Sequence, residues 1–119
     1  MQYLLLIYSA EGVGPQPGEA EFGPFMTDYF SFTNEVKERG LFEAGQPLEN
    51  VSTATTVRVR GDKTEISDGP FAETKEVLGG YYLLNCKDLD EALECAAKIP
   101  TARFGSIEVR PIMEIPGDG

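Results

Sequence analysis

The chain has 119 residues, 41% of them apolar and 25% charged, which suits one globular domain with a single core and excludes bulk disorder. Twenty acidic side chains against ten basic ones leave a net charge of -10, and the basic residues are scattered, which argues against nucleic acid as a partner. Histidine is absent, which removes Ser-His-Asp and Cys-His activation and any imidazole metal site.

The first apolar run, Tyr3-Leu4-Leu5-Leu6-Ile7-Tyr8, is too short to span a bilayer and lacks a basic leader or a cleavage site. It reads as a central strand covered on both faces, in a cytoplasmic protein with no membrane partner. Residues 11–18, rich in Gly and Pro, read as an irregular loop. Gly23-Pro24 then opens a helix. Its apolar stripe is Phe25, Tyr29, Phe32 and Val36, widened by Phe22, Met26 and Phe30. Lys37 and Arg39 suit the negative end of its dipole, and Gly40 stops it.

Residues 41–48 read as a strand that Gly45 and Pro47 weaken or bulge. Residues 55–67 form a hairpin about Gly61-Asp62. In this register Arg60 faces Lys63, Val59 faces Thr64, Arg58 faces Glu65 and Val57 faces Ile66. After an Asp-Gly-Pro-Phe turn and a short charged stretch, residues 79–86 read as another strand. Asp88 caps a second helix, with Glu91 three residues on, a buried stripe of Leu89, Ala92, Leu93, Ala96 and Ile99, and Pro100 as its end. Ile107, Val109, Pro111, Met113 and Ile115 alternate with Glu108, Arg110, Ile112 and Glu114 in the last strand; residues 116–119 read as a frayed tail. Cys86 and Cys95 match no metal or redox spacing and read as reduced, partly buried thiols.

This order of elements predicts an α+β ferredoxin-like sandwich within one domain, residues 1–115. Two helices cover only one face of such a sheet. The other face needs a partner, and sheet-to-sheet homodimerisation supplies one.

Four blocks in order, residues 53–60, 68–76, 79–82 and 105–111, resemble the DGPF-domain family, a branch of the YCII-related proteins. The likeness runs from the opening Tyr-Leu-Leu-Leu-Ile-Tyr to the closing Val-Arg-Pro-Ile. It implies a dimeric α/β barrel of two ferredoxin-like protomers, bacterial origin and, for many relatives, a gene beside an extracytoplasmic-function sigma factor. It implies no common reaction. YCII-type relatives carry a histidine-aspartate pair in a pocket. The resemblance sets Asp68 at that aspartate, but the missing histidine puts a His-Asp mechanism out of reach.

Asp68 is the one catalytic candidate. It is either a general base or ligand anchor aimed by the rigid Gly69-Pro70 unit, or part of a sharp turn in which Phe71 anchors the chain to the core. Lys75, Gly79, Gly80, Tyr81 and Arg110 are the ligand-binding candidates. Lys75 brings a cation to the same mouth, flanked by Glu73 and Glu76 as part of a solvated charge run. Gly79-Gly80 marks close backbone approach, to a neighbouring strand or to a ligand, without a phosphate-loop pattern. Tyr81 and Tyr82 point to opposite faces, and which of them lines a pocket stays open. Glu108 and Arg110 share a face of the last strand and read first as an ion pair, within the chain or across a dimer. Asp88, Asp90, Glu91 and Glu94 read as capping and wet surface, with too few ligands for calcium. No metal and no cofactor is implied. Two functions stay open: a small-molecule-binding homodimer with acid-base activity at Asp68, and a non-enzymatic regulatory or interaction module linked to a sigma factor.

Overall fold

The computed structural model describes residues 1–117. In chain order it has β1 (Gln2–Ser9), α1 (Phe22–Glu38), β2 (Phe42–Pro47), β3 (Thr55–Arg60), β4 (Lys63–Asp68), β5 (Val77–Asn85), α2 (Leu89–Lys98) and β6 (Ser106–Pro111). Short 3-10 turns lie at Val51–Thr53 and Pro100–Arg103. Four strands form one antiparallel sheet in the order β2-β5-β1-β6, and β3 and β4 form a separate two-stranded sheet. Without that hairpin the order is the ferredoxin-like one, a strand-helix-strand unit repeated and interleaved. No helix among the described residues is long and apolar enough to cross a membrane.

Alternation along β1 decides the two faces of the sheet. Tyr3, Leu5 and Ile7 are buried with Tyr82 and Leu84 of β5, against Phe32 and Val36 of α1 and Ala92, Cys95 and Ala96 of α2. Both helices therefore lie on one face. Leu4, Leu6 and Tyr8 point to the other face and are only half-buried, so one half of the expected covering is missing within the chain.

Several sequence expectations shift. Phe30 is 63% exposed rather than part of the helix stripe. In α2 the buried residues are Ala92, Cys95 and Ala96, with Ile99 just beyond, while Leu89 and Leu93 are 48% and 47% exposed. The helix is turned so that its small side chains meet the sheet, which allows close approach. The last strand stops at Pro111, not Ile115. Pro111 pairs with Tyr3 and Ile112 N–H donates to the Gln2 carbonyl, while Met113 and Ile115 lie beyond the ladder, 81% and 67% exposed. The bulge of β2 falls at Phe42–Ala44, ahead of Gly45. Of the tail expected to fray, residues 118–119 lie outside the described residues. The hairpin register matches residue for residue. Asp88 caps α2, its carboxylate accepting from the Glu91 N–H at 2.9 Å.

Candidate functional site

The open sheet face follows from the strand registers. Directly paired residues of antiparallel strands share a face. One row therefore reads Ala44, Leu83, Leu4, Arg110, and the next reads Gln46, Tyr81, Leu6, Glu108. A third joins Leu78, Tyr8 and Ser106. The centre is apolar and half-buried, and Glu108 and Arg110 at the β6 edge are exposed. At one end Gln2 Nε2 donates to Glu43 Oε2, and the Met1 ammonium donates to Asn85 Oδ1 and to the Cys86 carbonyl. Near the other, the Ser106 hydroxyl donates to Glu76 Oε1 at 2.8 Å.

Of the two tyrosines in β5, Tyr81 faces this open surface and Tyr82 belongs to the core. The Tyr82 ring meets Phe32 edge-on at 5.1 Å and Phe42 at 6.3 Å, and its hydroxyl bonds the Thr33 hydroxyl at 2.7 Å. Nearby, the Tyr29 and Thr101 hydroxyls bond at 2.5 Å, and Thr33 also donates to the Tyr29 carbonyl. Burial pushes both tyrosine hydroxyls above their ordinary range. Both hydroxyls are held by these bonds inside the core. This hydroxyl group was not read from the sequence, where Thr33 and Thr101 look like ordinary helix and turn residues.

Gly80 is buried and Gly79 is exposed. A Cβ on Gly80 would stand 3.0 Å from the Gln46 carbonyl oxygen and 3.3 Å from Pro47 Cα, so the close approach is to a neighbouring strand. Gly79 is the extra residue of a bulge, since Ile7 pairs with Gly80 and Tyr8 with Leu78.

Asp68 ends β4 opposite Thr55, at the root of the hairpin, and is exposed. Its side chain makes no hydrogen bond among the described residues. The turn is held instead by the Gly69 N–H to the Ala54 carbonyl at 2.7 Å and by the Thr56 hydroxyl to the Gly69 carbonyl at 2.9 Å. Gly69 has φ of +93°, a conformation that only glycine adopts without strain. Phe71 does not anchor this turn in the core. It is 75% exposed, and its carbonyl accepts from Arg58 Nη2.

Lys75 lies in the exposed segment between β4 and β5. The candidates thus divide in two. Tyr81 and Arg110 share the open sheet face, separated by β1, while Asp68 and Lys75 stand at the hairpin root and the segment after it. Glu108 and Arg110 form no ion pair among the described residues; that part of the expectation fails, because side chains two apart on one strand run side by side into solvent.

Asp68 lines neither of two clefts among the described residues. One, of about 470 Å³, is lined by Met1, Gln2, Asn85 and residues 112–115. The other, of about 350 Å³, lies between the helices by Asp28, Glu35, Lys98 and Arg103. There Arg103 pairs with Asp28 and Lys98 with Glu35, each at 2.9 Å, and Lys98 then Arg39 hold Glu35 below the usual carboxylate range. Arg39 also reaches Glu91 and Glu94, so this network joins α1 to α2. The thiols offer no nucleophile. Burial, then Cys95, pushes Cys86 up to about 11, and Cys95 is also raised, chiefly by burial.

Comparison with known proteins places this geometry in a family. The model of the YCII-related domain matches residues 1–116, and the chain belongs to that family. An uncharacterised protein of Rhizobium meliloti (strain 1021) is 38% identical over 114 residues, spanning 94% of this chain and 92% of that protein. Among solved structures, the chain is similar to 5-chloro-2-hydroxyhydroquinone dehydrochlorinase (TftG) from Burkholderia phenoliruptrix, in complex with 2,5-dihydroxybenzoquinone. The identity is 13% and the TM-score 0.48, over 95% of this chain and 94% of that one.

Proposed function

We propose that this YCII-related chain, of the Asp-Gly-Pro-Phe branch, is a bacterial cytoplasmic homodimer that binds a small molecule. The observation that carries the reading is the sheet face opposite the helices. Leu4, Leu6, Tyr8, Tyr81 and Leu83 stay half-buried there, with no helix of the chain over them. A continuous apolar face of this kind marks an interface or a binding surface, and two copies placed face to face close it into a barrel. Tyr81 and Arg110 supply polar handles at the margin of that interior, where they can orient a ligand. Asp68 lies beside Ala54, just after the 3-10 turn at Val51–Thr53. In this reading Asp68 moves a proton on the bound molecule, while Lys75 holds its negative or carbonyl end and the exposed Gly79 lets it approach the backbone.

A second reading takes its support from the exposure of Asp68 and Phe71. Under it the chain is a regulatory or interaction module, linked to a sigma factor, and Asp68 is a turn residue.

Thermal shifts across a panel of metabolites separate the two. The first reading expects at least one compound to raise the melting temperature of the native protein and to lose that effect in Asp68→Asn. Ligand shifts that survive Asp68→Asn unchanged, or a panel without any shift, favour the second.

A further inference from the structure

The hairpin of β3 and β4 stands apart from the body. Among the described residues its strands pair only with each other, and β4 is exposed throughout. Val57, Val59 and Ile66 are 59%, 62% and 69% exposed. The register sets Val57 against Ile66 and Val59 against Thr64, so these side chains form one continuous apolar strip. A two-stranded ribbon wet on both faces is marginal in water and needs something to pack on.

The molecule is extended and carries more surface than a compact domain of its size. Its radius of gyration is 16.5 Å, where a compact domain of this length has about 13.5 Å. Its accessible surface, 8198 Å², exceeds by about 1,900 Å² the value expected for a compact 13.0 kDa monomer. Obligate dimers bury about 1,000–2,500 Å² on each partner, and transient contacts far less. The surplus fits permanent association with a copy of itself.

Charge says which segment can meet another copy with least repulsion. Between residues 55 and 68, Arg58, Arg60 and Lys63 balance Asp62, Glu65 and Asp68, so the arm is neutral and the whole net charge of -10 falls on the body. Two such bodies repel, and the neutral apolar arm is the segment that settles most easily on the acidic surface of another copy.

We propose that the β3–β4 arm lays Val57, Val59 and Ile66 on the body of a second copy, each copy giving one arm and receiving one. A two-fold axis makes that exchange reciprocal and closed. The inference rests on the homodimer reading above.

Sedimentation equilibrium of the full chain and of a Val57→Thr, Val59→Thr, Ile66→Thr variant tests it. Threonine keeps the β-branched shape that the hairpin favours while removing the apolar strip. The wild-type chain should sediment at twice 13.0 kDa, and the variant's dimer dissociation constant should rise at least about 100-fold with the helical circular dichroism of the body unchanged. A second variant, Arg60→Glu with Lys63→Glu, leaves the strip intact but makes the arm acidic. It should weaken the dimer in a salt-dependent way, and it keeps the test open if the threonine variant fails to fold. A dimer that holds its affinity in both variants overturns the arm and leaves the homodimer standing. A wild-type monomer overturns both.

Discussion

Alanine at Gly80 and at Gly79 should have opposite effects, although the two residues are adjacent. At Gly80 the new Cβ lands 3.0 Å from the Gln46 carbonyl oxygen and 3.3 Å from Pro47 Cα. Both contacts are backbone of a paired strand, so neither can rotate away, and β2 must shift. Overpacking of this sort costs about 1–3 kcal/mol, against which alanine gains about 0.4–1 kcal/mol by restricting the unfolded chain. The net loss is about 1–2 kcal/mol, a melting temperature lower by about 4–8 °C for a chain of this size. At Gly79 the nearest contact of a Cβ is the Ile7 carbonyl oxygen at 3.9 Å, ordinary van der Waals distance. Only the unfolded-state gain remains, so Gly79→Ala should melt level with the wild type or up to about 4 °C above it. Thermal melts followed by circular dichroism measure both. Gly80→Ala melting at or above the wild type would refute the strand-packing account of this pair. Equal losses at the two positions would refute it as well.

Other outcomes follow from the same contacts. The Cys86 thiol, held neutral by burial up to about 11 against an ordinary 9.0, supports the fold fully below pH 9. As pH rises through 11 that support is lost, by about 2–3 kcal/mol; urea titrations at pH 8 and above should show the decline, and it should shrink in Cys86→Ala. Tyr82→Phe keeps the ring contacts with Phe32 and Phe42, and Thr33 retains its bond to the Tyr29 carbonyl at 3.0 Å. Chemical denaturation should therefore register a loss of only about 1 kcal/mol. Asp68→Asn, at an exposed side chain without a hydrogen bond among the described residues, should leave stability within about 0.5 kcal/mol, so any lost ligand response in that variant reports on binding.

What the sequence discloses and what it hides can be traced to range. The hairpin register was legible because a two-residue turn fixes every pair beyond it, and the α2 cap because Asp88 needs only Glu91, three residues away. The central place of β1 was legible from its apolar run. Elsewhere the deciding neighbour lies far along the chain. Alternation continues to Ile115, but the pairing with β1 ends at Pro111 and leaves Met113 and Ile115 exposed, because a strand is set by its partner and not by its own pattern. Leu89 and Leu93 look like the face of α2, yet Ala92, Cys95 and Ala96 take it because small side chains seat the helix on the sheet. Phe71 looks like an anchor, and its 75% exposure reflects an arm that carries it clear of the core.

The candidate site was legible as a set of residue types and not as an arrangement. Tyr81 and Arg110 come to one face through strand order, which no local pattern encodes. Asp68 and Lys75 lie outside that face, and a second copy is what the proposal asks to bring the two groups together.

The mass of the full chain in solution at micromolar concentration, read by light scattering, tests that requirement most directly. The account predicts twice the 13.0 kDa of a single chain; a mass of 13.0 kDa contradicts it, and with it the closed interior on which the proposed binding site depends.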